Sequence, residues 1–350
     1  MVQRPLLVLT VGGLVAAGAA AVAGPQQIMT KGLTAVDGIK VGHYTLDARP
    51  TGCTVILVEK GAVAGVDVRG SAPGTRETDL LNPINLVQEV QAIVLAGGSA
   101  FGLDAASGVM RYLDERGLGY PTGAGPVPIV PAAILYDLQV GGNPKVRPDA
   151  ECGYRAARAA SADAVLEGNV GAGAGATVGK LFGDGRAMKA GLGTSAIALP
   201  GGLVVAALVA VNASGDIVDP ATGAIVAGVR TADGRGLADA RKLLREGARV
   251  TSSVGQNTTI GVVATNARLT KAQATKVAQM AQDGLARAIA PAHGPFDGDT
   301  IFALATGTRD GEADLVTIGA LAADVVADAI VRAARAATGL PRYPAARDLR

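Results

Sequence analysis

The chain contains no tryptophan, and aromatic residues make up only 3% of its 350 positions. A platform that stacks nucleic-acid bases needs exposed rings, so that class is excluded. Net charge is +2, with 32 basic and 30 acidic side chains interspersed. No basic stripe is available for a phosphate backbone, and there is no acidic or basic tail. No nucleic-acid partner is expected. Cysteine and histidine are equally scarce, with Cys53 and Cys152, His43 and His293. Two cysteines cannot build a disulfide framework, and their spacing is not that of a metal site. They are two buried thiols or, in an exported protein, one bridge. A zinc site or a Ser-His-Asp triad would have to draw on one of the two histidines. A lone histidine is ordinarily structural, so neither a His-centred site nor a metal is expected.

What is present is apolar and small. Residues of the hydrophobic set reach 49%, and there are 49 glycines, enough for a substantial core with tight backbone packing. The start, "MVQRPLLVLTVGGLVAAGAAAVAG", has a basic Arg4, an uncharged run from Leu6 to Ala23, and a small-x-small Ala21-Val22-Ala23. It reads as a signal peptide over residues 1–23 of an exported protein; an uncleaved anchor is the alternative. No later stretch looks membrane-spanning, so no stable membrane association is expected after processing. Residues 24–350 are read as one domain.

Along that domain, residues 51–70 read as two strands of a hairpin around Glu59-Lys60-Gly61. Residues 92–117 read as strand, glycine turn and helix, with Leu103, Ala106, Val109, Met110 and Leu113 at helical spacing. A Gly/Pro-rich loop over 118–131 leads to a short strand "AAILYDL" and a small-residue helix over 150–162. "GNVGAGAGATVGKLFG" reads as a flexible stretch containing Lys180. Residues 202–219 read as a buried strand with Asn212 at its end and a turn at Ser214-Gly215, and 229–254 as a helix and surface loop. Further strands are expected over 258–265 and 299–306. Thr270-Lys271-Ala272-Gln273 is a capping box opening a helix to about residue 289, and a last helix spans about 315–337. Strands apolar on both faces need cover on each side, which indicates a layered α+β domain with helices outside.

Two patterns mislead. "GAGAGATVGK" lacks the first glycine and the final Ser/Thr of a phosphate loop, and its dinucleotide-like spacing has no clear strand before it or helix after it. Asn212-Ala-Ser214 and Asn257-Thr-Thr259 match the glycosylation sequon but adjoin buried strands. The second of these raises a sharper question. Asn257 can be an ordinary turn residue before a strand. Asn257-Thr258 can also be a peptide bond that the protein cuts in itself. A threonine hydroxyl is a poor nucleophile until a base adjoins it. A chain-terminal threonine carries that base as its own α-amine, whose ordinary pKa of about 7.7–8.0 leaves part of it neutral near pH 7. A chain poor in histidine could then perform acyl transfer.

The segments "QNTTIGVVATNARLT", "GATVGK", "VNASGDIVD", "LAGGSAFGLDAASGV", "ILYDL" and "DGDTIFALAT" together resemble the L-aminopeptidase/D-esterase family of self-cleaving hydrolases. The resemblance runs from about Gly32 to Ala337. The Asn-Thr junction and "DGDT" are most similar to the nylon-oligomer-hydrolysing branch, which acts on aminohexanoate oligomers. The resemblance implies a four-layer α-β-β-α sandwich, cut into an α piece ending at Asn257 and a β piece starting at Thr258. It also implies homo-oligomers of αβ units and no cofactor. It places Thr258 as nucleophile, Lys180 as the active-site lysine, Asn212 on the oxyanion side, Asp297 and Asp299 as an acidic pair, and Tyr136 in the substrate pocket. One aspartate would orient the Thr258 amine, the other would pair with Lys180, and Tyr136 would offer its hydroxyl. The aminopeptidase branch has Ser as nucleophile and Ser and Glu at the acidic positions; this chain has Thr, Asp and Asp. The expected activity is hydrolysis of amide bonds in short linear substrates, either aminohexanoate oligomers or the N-terminal residues of peptides and amides. Rival readings are an aminopeptidase for β- or D-amino-acid amides and esters, an ornithine-acetyltransferase-like acyltransferase, and an uncut exported binding protein. The acyltransferases carry Ala-Thr-Met-Leu where this chain has Asn-Thr-Thr-Ile.

Overall fold

Side chains alternate between the two faces of a strand, and that alternation shows what covers each face here. In the computed structural model the described residues are Met1, 27–28, 30–251, 257–312 and 314–349. The leader expected over residues 1–23 lies, Met1 aside, outside them. Among the described residues ten strands form one hydrogen-bonded sheet, nine of them in a single path. Its order is Gln27–Ile28, Leu192–Ala198, Val204–Asn212, Thr258–Thr265, Thr300–Ala305, Gly52–Val68, Glu89–Ala96, Ala132–Ile134 and Thr75–Arg76, with Lys40–Thr45 also paired to Gly52–Val68. Pairing is antiparallel except between Thr258–Thr265 and Thr300–Ala305 and between Glu89–Ala96 and Ala132–Ile134.

The path folds into two layers because one strand belongs to both. Cys53 to Leu57 pair with residues 92–96, and Val63 to Val68 pair with residues 300–305. This corrects the hairpin expected around residues 59–61. Gly61 adopts φ +84°, and the register with the neighbouring strand slips between Leu57 and Ala62. The irregularity redirects a single 17-residue strand instead of reversing it.

Three cores separate four layers. Val205, Val209, Val263 and Ile301 face helices Lys271–Ala288 and Leu315–Ala336. Leu208, Ile260, Val262 and Phe302 face inward, toward Ile56, Ile93 and Leu95 of the other layer. Val55, Leu57 and Val94 meet helices Ala105–Asp114 and Ala150–Arg158. Each such side chain contributes about 1.5–3 kcal/mol on burial. The result is the α-β-β-α sandwich. The helix at 271–288 begins at the expected box, with the Thr270 hydroxyl accepting from the Gln273 N–H and the Gln273 side chain accepting from the Thr270 N–H.

Cys53 and Cys152 form one disulfide, with Cα atoms 6.3 Å apart, joining the long strand to helix Ala150–Arg158. Of the two alternatives for these cysteines, the structure takes the bridge. The "flexible" glycine stretch is also corrected. Residues 171–180 are buried throughout. The Lys189 ammonium donates to the carbonyls of Gly173 and Ala176, both at 3.0 Å, and to that of Ala190. A lysine distant in sequence therefore fastens backbone that composition alone reads as loose. The strand expected within 202–219 ends at Asn212, as expected, and beyond the turn Asp216–Val218 pairs in a separate three-stranded sheet. Both sequon asparagines are inaccessible, at 0% and 1% exposure.

Candidate active site

The strand ending at Asn212 and the strands beginning at Thr258 and Thr300 stop at the same edge of one layer. Asn212 lies directly opposite Thr258 in the antiparallel register, and Ile260 lies beside Thr300 in the parallel one. Thr258 has the same parity as Ile260 and Val262, and Asn212 the same as Leu208 and Ala210, so both side chains belong to the inner face. The alternation that builds the core thus delivers a hydroxyl and an amide side by side at its rim.

Lysine, asparagine and two aspartates gather around them. Lys180, Asn212, Asn257, Thr258, Asp297 and Asp299 are all buried. The carbonyl oxygen of Asn257, on the peptide bond joining it to Thr258, accepts two hydrogen bonds. The Gly298 N–H donates at 2.9 Å and the Thr258 hydroxyl at 2.5 Å. The hydroxyl and the N–H thus converge on one carbonyl oxygen, that of the Asn257-Thr258 peptide bond. Glycine at 298 is required by space: an added Cβ would come 2.9 Å from the Thr258 Oγ1 and 2.7 Å from the Ala72 carbonyl oxygen.

The Lys180 ammonium donates to the Asn212 main-chain oxygen at 3.0 Å and to its Oδ1 at 2.9 Å. Burial lowers its pKa to about 7, against the opposing pull of Asp184, Asp297, Asp137 and Asp299. A lysine of this kind can exchange a proton near neutral pH. Both Asp297 and Asp299 also act on Lys180 through their charge. Asn212 Oδ1 also accepts from the Thr177 N–H at 3.0 Å, and its Nδ2 donates to the Tyr136 carbonyl at 2.9 Å. The Tyr136 main chain therefore touches the site through its carbonyl. Its position is held from the next residue. Asp137 accepts from the fully buried Arg49 at 2.9 Å, from the Thr51 hydroxyl at 2.6 Å and from the Gly98 N–H at 2.9 Å.

The two aspartates diverge. Asp297 Oδ2 accepts from the Gly294 N–H at 2.6 Å, and the Ser214 hydroxyl also donates to this carboxylate. Burial, and then the charge of Asp299, raise its pKa to about 6. Asp299 Oδ1 accepts from the Thr259 N–H at 2.7 Å, one residue beyond Thr258. Its Oδ2 accepts from the His293 N–H at 3.2 Å and lies 3.0 Å from His293 Nδ1. Sequence reasoning set His293 aside as structural; the fold seats it on an aspartate of the site. Ser214, Thr177 and the Gly298 N–H were likewise missed. The only available hint was the six-residue spacing of His293 from Asp299, and that spacing has no meaning until the loop is folded. His43, the other histidine, sits at Thr54, with its Nδ1 3.0 Å from the Oγ1. Among the described residues, no cluster of three or more His, Cys, Asp or Glu side chains is arranged to hold a metal.

Comparison with known proteins adds the following. Residues 31–344 match peptidase family S58. The chain is 44% identical over 340 residues to an uncharacterized aminopeptidase of Mycobacterium bovis, covering 89% of this chain and 96% of the relative. It is 32% identical over 312 residues to the 6-aminohexanoate-oligomer endohydrolase of a Kocuria species, covering 85% and 84% respectively. Its fold is similar to that of the solved L-aminopeptidase D-Ala-esterase/amidase of Ochrobactrum anthropi, described as a variant of the Ntn hydrolase fold. That TM-score is 0.65 over 93% of this chain and 91% of the other; at 21% identity the likeness concerns the fold alone.

Proposed function

The chain belongs to peptidase family S58 and is a hydrolase of peptide or amide bonds, and on that premise we propose that it activates itself by cutting Asn257-Thr258 and then uses Thr258 as its nucleophile. The observation that carries this reading is the Thr258 hydroxyl resting on the Asn257 carbonyl while the Gly298 N–H donates to the same oxygen. Attack of Oγ1 on the Asn257 carbonyl carbon forms an ester and breaks the C–N bond. The hydroxyl proton leaves to a base, and the departing nitrogen gains one. Water then hydrolyses the ester, giving an Asn257 carboxylate and a Thr258 with free hydroxyl and free amine. Lys180 is the base closest in character to what the first step needs, because burial leaves much of it neutral near pH 7. Asn212 and the Gly298 N–H supply the polar frame for the developing oxyanion, where a single donor is worth about 2.7–4 kcal/mol.

After the cut the same geometry serves a foreign amide, with the Thr258 amine as the adjacent base. The substrates in this reading are short linear amides, either aminohexanoate-type oligomers or N-terminal residues of peptides and amides. The 44% identity to an aminopeptidase favours removal of N-terminal residues as the first class to test. The 32% identity to an oligomer endohydrolase keeps internal cleavage as the second. Chromatography of products from an aminohexanoate oligomer and from a set of amino-acid amides, β- and D-amino acids included, separates the two.

Denaturing electrophoresis of purified protein tests the self-cleavage. Dividing 34.7 kDa in proportion to chain length, residues 258–350 should run as a band of about 9 kDa beside the larger remainder. A single undivided band in active protein would overturn the reading. Gly298→Ala should slow the cut by roughly 100-fold or more, because the new Cβ presses on the nucleophile and near-attack geometry tolerates displacements of well under 1 Å. A time course of band conversion, compared with wild type, checks it.

A further inference from the structure

We propose that His293 is a positioning residue for this reaction: its imidazole fixes Asp299 and supplies the positive charge that balances the Asp297–Asp299 pair beside Thr258. The inference rests on the proposed role of Thr258 and adds a group that neither sequence motif nor chemistry had assigned.

The geometry is specific. His293 is held twice on one carboxylate oxygen, through its main-chain N–H and through Nδ1. It adopts φ +55°, a left-handed conformation uncommon in residues other than glycine. An ionised carboxylate only accepts hydrogen bonds, so Nδ1 carries the hydrogen. In a neutral imidazole Nε2 is then an acceptor. Among the described residues Nε2 is buried without a hydrogen-bond partner, and the main chain of Gln282 on helix Lys271–Ala288 adjoins the ring. Protonation turns it into a donor toward that backbone and makes an ion pair with Asp299. Burial opposes the charged ring, but the hydrogen bond and charge of Asp299 outweigh it, and the His293 pKa is raised.

The charged surroundings are few. Asp297 and Asp299 approach from the turn before strand Thr300–Ala305. Arg69 follows strand Gly52–Val68 and opposes the imidazolium, but its own charge is engaged by Asp67 at 2.7 Å. The helix side presents the neutral Gln282, whose Nε2 donates to the Asp67 carbonyl at 2.9 Å.

The consequence reaches Thr258 through Asp299, which holds the N–H of the adjacent Thr259. With the imidazolium in place, the Asp299 charge is balanced. Without it, Lys180 alone would offset the two aspartates, leaving a more negative field near the Thr258 amine. That field would hold that amine protonated to higher pH and remove the base that turnover needs. His293→Gln can keep a donor and loses the charge. Its acidic limb of activity against pH should therefore move upward by about half a unit to one unit, while the plateau rate falls only several-fold. A merely structural residue would lower the rate equally at all pH values. An unmoved limb would overturn the proposal.

A second measurement does not depend on the variant folding or on activity. The chain has only two histidines, so imidazole nitrogen NMR of uncut Thr258→Ala protein should show two separable titrations. Burial lowers His43 to about 4, whereas His293 should titrate above its ordinary value and fall back in the Asp299→Asn background. A His293 titration at or below the ordinary histidine range would overturn the proposal. If wild-type protein proved neither cut nor active, the reading of Thr258 would fail, and the NMR result would still decide whether His293 is the charged partner of Asp299.

Discussion

Thr258→Ala should give one undivided chain with no measurable amidase activity. The side-chain oxygen is the only protein atom in the proposed scheme that forms a bond to either carbonyl, so its removal takes away the self-cut and turnover together. A loss of at least about 10⁴-fold is expected, in line with removing a nucleophile from other acyl-transfer enzymes. Folding should survive. The substitution deletes a small buried group, and the Asn257 carbonyl still accepts from the Gly298 N–H. An unfolding midpoint close to that of the wild-type precursor would separate lost chemistry from lost structure. Thr258→Ser keeps a hydroxyl at the same place and should still be cut. Electrophoresis and an amide-release assay on the three proteins decide the matter. A cleaved alanine variant would mean that the nucleophile is elsewhere.

Lys180→Met should come next in severity, with self-cleavage slowed by roughly 10²–10⁴-fold, the range for loss of a general base. Methionine fills similar space but gives up two hydrogen bonds to Asn212. Leaving the Asn212 acceptors short of a donor costs about 1–3 kcal/mol, while the bonds of its side chain to Thr177 and Tyr136 remain. The sign of the pH dependence follows from the direction of the shift. Burial holds Lys180 near 7, so its neutral, base-competent form grows as pH rises through 7. Asp297, raised to about 6, loses its proton in the window just below. Self-cleavage of wild type should therefore accelerate steeply from pH 5 to about 7 and level above that. Lys180→Arg stays protonated throughout and should fail at every pH. Precursor gathered at low pH and shifted upward gives the time courses. A flat profile, or a methionine variant cut at the wild-type rate, would remove Lys180 from the chemistry.

Much of this site could be read before folding, for a physical reason. Thr258, Asn212 and the aspartates sit at strand ends, and strand ends are where apolar alternation stops and becomes visible in sequence. The four layers were reached through resemblance, and the structure supplies the reason: the paired faces of Leu208, Ile260 and Phe302 on one side and Val209, Val263 and Ile301 on the other. What escaped was non-local. The burial of residues 171–180 depends on Lys189, which composition cannot link to their carbonyls. Gly61 looked like a reversal because a positive φ reads the same in a bulge and in a turn. Tyr136 also gives its carbonyl to Asn212, a main-chain contact that no side-chain argument reaches. His293 was discounted because a single histidine carries no pattern; its partner appears only when the loop brings it onto Asp299.

The central claim is that a hydroxyl and an amine on one residue, released together, do the work. It is tested most directly by the intact mass and N-terminal sequence of the smaller fragment from catalytically active protein. The account predicts a fragment beginning Thr258-Thr259-Ile260 with an unblocked amine. A fragment with any other first residue, or full activity in a chain that was never cut, would contradict it.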